Sequence, residues 1–280
     1  MKINNDVMQR LDAVQIPTLP SLVMRLAQLL GQDGTTAQEI AAAVQVDATM
    51  SARVLRLANS VALGGEGEVE SVADAVLRVG VEGVRDIVFA LSMMGVMQPM
   101  NFDYRPFWRH SLAVANTARL LQARAPQSEV QFTETYSAGL LHDMGMLVLD
   151  RALGSQYKQV LAVARSCGRP LFEVEREMLG TDHAEAGSRL LTAWDLPMRL
   201  IDAAWSHHRP RASESRVTHL VFLADLVCNN LGFHHGTGFL PKTFADQAWA
   251  DLGLQETDLP EIAVAVRREV EQVERIIATA

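Results

Sequence analysis

"GLLHDMGMLVLD", Gly139 to Asp150, decides how this sequence is read. A His–Asp pair, His142 and Asp143, stands inside an otherwise apolar run. Burying two such side chains costs free energy unless hydrogen bonds or a metal ion satisfy them. The surrounding apolar period is helical, so the pair reads as part of a helix over Glu134–Ala152. Adjacent side chains on a helix point about 100° apart, so a shell built on both residues needs partners from other helices.

Working outward, helical spacing continues on both sides. Downstream it predicts helices at Gln156–Cys167, Pro170–Gly180, Ala184–Asp195, Pro197–Ser206 and Val217–Leu231, with "GFHHGTGFLPKTF" as a loop. The end of the chain sets Ile262, Val266, Val270, Val273 and Ile277 along one face of a long helix. Upstream, Trp108–Ala125 reads as a helix. Before it, "QPMNFDYRPF", Gln98 to Phe107, carries two prolines, and every histidine lies beyond it. We place the junction between two lobes there. In the first lobe "SLVMRLAQLLG" stops at Gly31, "TAQEIAAAVQ" opens with a Thr36–Glu39 capping box, and "VEGVRDIVFALSMMGVM" sets Val84, Ile87, Val88 and Leu91 on one face. The expected division is a helical lobe over 1–100, a second helical lobe with the histidines over 101–235, and a loop with an amphipathic helix over 236–280.

Composition agrees with packed helices. Apolar residues make up 49% and aromatics only 6% of 280 residues, so Leu, Val, Ala and Met supply the core. The net charge of −8 disfavours a broad nucleic-acid footprint. "TAQEIAAAVQVDATMSARVLRLANS" has helix–turn–helix spacing, with Arg53 and Arg56 late in its second helix, but the acidic balance and Asp47 favour a plain helical hairpin. Cys167 and Cys228 lack metal-type spacing and read as free thiols. The start "MKINNDVMQR" lacks a signal peptide's apolar core, and no run reaches membrane-spanning length. The expectation is a cytoplasmic protein without membrane contact.

The histidines form an ordered set with two aspartates: His110, His142–Asp143, His183, His207–His208 and Asp225. Imidazole and carboxylate together suit divalent ions such as Zn, Mn, Fe or Ni. A single buried histidine is more often satisfied by a hydrogen bond, and a single "HD" arises by chance; the ordered set is what carries weight. His219, His234 and His235 fall outside it, with loop or surface roles expected and only adventitious metal binding open to the His234–His235 pair.

The set resembles the HD superfamily of metal-dependent phosphohydrolases. That resemblance implies a first ion on His110, His142, Asp143 and Asp225. It implies a second on His183, His207 and His208, with Asp143 bridging, and hydrolysis of a phosphoester by polarised phosphoryl oxygen and activated water. A nearer resemblance lies in "IPTLPSLVMRLAQLL", "AAAVQVDATMSARVLRLANSVALGG" and "SVADAVLRVGVEGVRDIVFAL", which look like the HDOD domain, the HD-related output domain of bacterial signalling proteins. It runs from about Ile16 to Asp225. It implies an all-α, two-lobed fold with an HD-type helical core, and a regulatory module that binds a protein partner.

Many members of that family lack the metal ligands; this chain keeps them. It departs from HD-GYP-type phosphodiesterases in three ways. Met146 stands where they carry a lysine, Pro106 where they carry a glutamate, and "HHRPRASESRV" replaces their GYP loop. Losing a positioned cation removes charge stabilisation at the phosphoryl group. The reading therefore favours a signalling output module holding one or two divalent ions over an active phosphohydrolase on a nucleotide or cyclic dinucleotide, and assigns no catalytic residue. Nucleic acid is disfavoured as a partner; a nucleotide ligand stays open.

Overall fold

The computed structural model describes residues 5–30, 36–59, 69–125, 132–235 and 246–279. Every regular element among them is a helix, as expected. The chain divides into two compact units, residues 17–97 with 271–280, and residues 1–16 with 98–270.

The smaller unit contains α2 (Ser21–Leu30), α3 (Ala37–Gln45), α4 (Ala48–Ala58), α5 (Val72–Val79) and α6 (Val81–Val96). The capping box is present: Thr36 Oγ1 accepts from the Glu39 amide at 3.3 Å and Glu39 Oε2 from the Thr36 amide at 2.8 Å. Asp47 caps α4 in the same manner, accepting from the Met50 amide at 3.0 Å. The pair α3–α4 is a helical hairpin packed on α5, with Ile40, Val44, Val54 and Leu57 in the core. Val84, Val88 and Leu91 bury the expected face of α6.

The larger unit holds α1 (Asn5–Asp12), α7 (Tyr104–Arg124), α8 (Phe132–Leu141), α9 (Met144–Leu153), α10 (Ser155–Cys167), α11 (Leu171–Leu179), α12 (His183–Ala193), α13 (Met198–Ser206), α14 (Arg216–Asn230) and α15 (Asp246–Asp251). It also holds the first part of α16 (Leu259–Thr279). Its centre is a bundle in which α7 packs on α8 and α14, α9 on α12, and α13 on both α12 and α14.

This division differs from the boundaries 1–100, 101–235 and 236–280 at both ends. Val7 and Leu11 are buried and α1 packs on α9, which draws the start of the chain into the larger unit. Ile262, Val266 and Val270 are fully or nearly buried, which draws in the start of α16. Most of the loop expected after Phe233, and the side chain of Val273, lie outside the described residues.

The helix expected over Glu134–Ala152 is two helices, and His142–Asp143 forms the break between them. Asp143 sits at φ −99°, ψ 7° as it leads into α9. Glycines on either side allow close approach of neighbouring helices. A Cβ at Gly139 would stand 2.7 Å from Ala115 Cα of α7, and one at Gly145 only 1.8 Å from the His183 carbonyl oxygen of α12. The segment 98–101 is tied down by buried Asp150, whose carboxylate accepts from the Met100 and Asn101 amides and from Asn101 Nδ2.

Candidate metal centre

Each bundle element delivers a side chain to one point. His110 comes from the middle of α7, His142 and Asp143 from the α8–α9 break, and His183 from the first position of α12. His207 and His208 follow the end of α13, and Asp225 lies in α14. Because the helix is interrupted at His142, both members of the pair face the same place instead of diverging, and His142 Nε2 lies 3.3 Å from Asp143 Oδ2.

Asp143 is the hub. Its Oδ2 lies 3.5 Å from His110 Nε2. Its Oδ1 lies 3.3 Å from His183 Nε2 and 3.4 Å from His207 Nε2. Asp225 Oδ1 reaches the same His110 Nε2 at 3.1 Å. His208 joins through His183, with their Nε2 atoms 2.6 Å apart, and its ring stacks on Phe172 at 4.4 Å. Two donor groups result, His110 with His142 and Asp143, and Asp143 with His183, His207 and His208. All seven residues singled out in the sequence are thus brought together, Asp225 by way of His110.

His110 Nδ1 donates to the Phe233 carbonyl at 2.6 Å, His142 Nδ1 to Gly139 at 2.7 Å, and His207 Nδ1 to Ala204 at 2.8 Å. His183 Nδ1 donates to Glu175 Oε2 at 2.5 Å. Carbonyls and carboxylates only accept, so the proton of each neutral ring sits on Nδ1 and its Nε2 lone pair faces Asp143. Lone pair against carboxylate cannot form a hydrogen bond, and the buried Nε2 atoms of His110, His142 and His207 have no hydrogen-bond partner. A cation between them resolves the conflict. Two donors about 2.1 Å from one ion at a tetrahedral angle stand about 3.4 Å apart, and the separations around Asp143 run from 3.3 to 3.5 Å. The cluster fits a metal ion on its own geometry, and the rings of His110, His142, His183 and His207 each have the outer acceptor that fixed metal-binding imidazoles use.

Charge is unevenly distributed. Burial resists ionisation at Asp143, but His142, His183 and His207 outweigh it and hold the carboxyl well below its usual range. Asp225 is lowered as well, with His110 outweighing its burial. Burial pushes His142 and His183 down, yet both end above the usual imidazole value, His142 through Asp143 and His183 through Glu175 and Asp143. At His207 and His208 burial prevails and the rings favour the neutral form.

Two contributors escaped the sequence reading. Glu175, fully buried, orients His183 and in turn accepts from the Tyr157 hydroxyl at 2.6 Å. In "LFEVEREMLG" it looks like any charged helix residue, and no sequence signal marks it. His235, set aside as a loop residue, has its Nε2 3.9 Å from Asp143 Oδ2; the only hint was a second "HH" after the Asp225 helix. His219 braces the loop after His208, donating from Nε2 toward the carbonyls of Pro210 and Ser213.

The family model for the HDOD domain matches residues 16–210, well over half of the chain. The chain belongs to the HDOD family. The HDOD match ends before α14, so Asp225 and His235 lie beyond it. An HDOD domain protein with unknown function from Geobacter sulfurreducens is 25% identical with a TM-score of 0.81, over 98% of this chain and 96% of its own. A candidate signal transduction protein from Marinobacter aquaeolei VT8 shares the fold at a TM-score of 0.82 and 20% identity, over 99% of this chain and 67% of its own. An uncharacterized protein of Treponema pallidum (strain Nichols) is 25% identical over 214 residues, 76% of this chain. The HDOD chain spans 41% of that relative's length. No helix among the described residues is long and apolar enough to cross a membrane.

Proposed function

We propose that this HDOD domain is a signalling module of the bacterial cytoplasm that acts by binding a protein partner, with its His–Asp cluster held by one or two divalent ions as a staple. The observation that carries this reading is the burial of the cluster's centre: His110, His142, Asp143, His183 and His207 are each 2% exposed or less, and the Asp225 side chain at its edge is 16% exposed. Structural ions are enclosed by protein donors, whereas catalytic ones keep a position open for water or substrate. His110, His142, Asp143 and Asp225 would hold one ion, and Asp143, His183, His207 and His208 the other. The mixed imidazole and carboxylate set suits Fe, Mn, Zn or Ni.

The substrate-handling side is weak. Met146, where HD-GYP-type hydrolases carry lysine, is 1% exposed in the core of α9. An apolar side chain there gives no charge to a phosphoryl group. Pro106 occupies the first turn of α7, where its missing amide proton costs nothing but where it also offers no donor atom to an ion. The Marinobacter relative's description as a candidate signal transduction protein supports the signalling reading.

One observation favours a second reading, a metal-dependent phosphohydrolase: the two donor groups share Asp143, as in sites where paired ions polarise phosphoryl oxygen and activate water. The deciding experiment supplies Mn, Fe, Ni and Zn in turn with cyclic dinucleotides and a generic phosphodiester. The module reading expects no metal-dependent turnover. Turnover that Asp143→Ala abolishes would overturn it in favour of the hydrolase.

A further inference from the structure

His235 stands apart from the buried histidines of the cluster. Its side chain is 12% exposed, its Nε2 points at Asp143 Oδ2 from 3.9 Å, and its ring meets that of His110 edge-on at 5.2 Å. Both neighbours belong to the first donor group. Its other nitrogen, Nδ1, is buried with no hydrogen-bond partner. A ring placed this way leaves a buried polar atom, Nδ1, unsatisfied, which needs a reason.

The backbone leading to it is anchored to the same group. Gly232 turns the chain out of α14 at φ +86°. The Phe233 amide then donates to the Cys228 carbonyl at 2.9 Å, and the Phe233 carbonyl accepts from His110 Nδ1 at 2.6 Å. The residue that orients His110 thus lies two positions before His235. Two donors about 2.1 Å from one ion stand about 3 Å apart at a right angle and about 4.2 Å apart across it, so a 3.9 Å separation fits donors on well-separated positions of one shell.

We infer that His235 is a fifth protein donor to the ion held by His110, His142, Asp143 and Asp225, closing the position that a phosphate-class anion would otherwise take. The inference rests on the metal reading above. Its Nε2 supplies the lone pair. Unlike His110, His142, His183 and His207, it has no acceptor locking its Nδ1, so it is the donor most readily exchanged. The position is therefore closed to weak ligands and opened only by displacement of His235.

The test loads the full chain with Co2+ and follows its visible spectrum during titration with inorganic phosphate. The wild-type spectrum should resist phosphate. His235→Ala and His235→Gln should each show a changed cobalt spectrum and bind phosphate at least tenfold more tightly, and added imidazole should return His235→Ala toward the wild-type spectrum. His234→Ala should behave as wild type. If either His235 variant folds, holds the same cobalt and responds to phosphate as wild type does, the inference is overturned while the metal reading stands. If wild type itself takes up no cobalt, the metal reading fails first.

Discussion

Gly145→Ala tests whether the close approach of α9 and α12 builds the site. A Cβ at this position would lie 1.8 Å from the His183 carbonyl oxygen and 2.5 Å from the Gly187 amide nitrogen. Both are backbone atoms that cannot rotate away. Restoring contact distance requires α9 and α12 to part by roughly 1.5 Å. Asp143 immediately precedes α9 and His183 opens α12, so the strain falls on the 3.3 Å spacing between them. Metal sites tolerate only about 0.2 Å in ligand distance. Overpacking costs about 3 kcal/mol, partly offset by about 1 kcal/mol of helix propensity gained over glycine. A net loss of about 2 kcal/mol lowers the melting temperature by roughly 4–8 °C for a unit of this size. Gly95→Ala is the control: nothing stands within 4 Å of its Cβ position in α6, so propensity should make it neutral or slightly stabilising. The assay is thermal melting by circular dichroism, with metal content by elemental analysis. If Gly145→Ala melts and binds metal as wild type does, the helix contact is not what shapes the site.

Other outcomes follow from the same geometry. Glu175→Gln keeps the shape but replaces the charged Oε2, which accepts from both the His183 amide and Nδ1, by a neutral amide oxygen or, flipped, by an NH2 that cannot accept, and metal affinity should fall about 10- to 100-fold by competition with a chelating dye. Metal uptake should weaken as pH falls. In the metal-free fold His142 and His183 hold their protons more strongly than in the unfolded chain, so they stabilise that form at low pH and lose this as pH rises through their raised values. An ion must displace those protons. Dialysis at stepped pH with metal analysis should show retention near neutrality and progressive release on acidification; retention independent of pH would contradict this.

Much of the fold was written in local pattern. Helical spacing, the Thr36–Glu39 box and the buried face Ile262–Val266–Val270 are properties of neighbours in sequence, and the structure repeats them. So is the order of the seven His and Asp residues, which chain connectivity alone can display. What was not legible depends on distant partners. The break at His142–Asp143 is hidden because apolar spacing continues through it, and only packing against α7 and α12 explains the glycines on either side. Glu175 reveals itself by full burial beside His183, eight residues on and in another helix. Placement of α1 against α9 joins segments more than a hundred residues apart. His235 lacks any periodic context, since loops carry none.

Whether Asp143 holds metal is decided by elemental analysis of wild type and Asp143→Ala, both purified without chelator and both shown to be folded. Among the described residues Asp143 is the one carboxylate within 3.5 Å of His110, His142, His183 and His207. Its removal leaves clustered imidazoles without the charge that binds an ion, and a ligand of the folded state alone stabilises that state by mass action. Wild type should carry divalent transition metal at stoichiometric level, one or two ions per chain, and the variant should lose most of both its metal and its added thermal stability. Unchanged metal stoichiometry in Asp143→Ala, or a folded wild type that neither carries nor takes up metal, would contradict the metal reading.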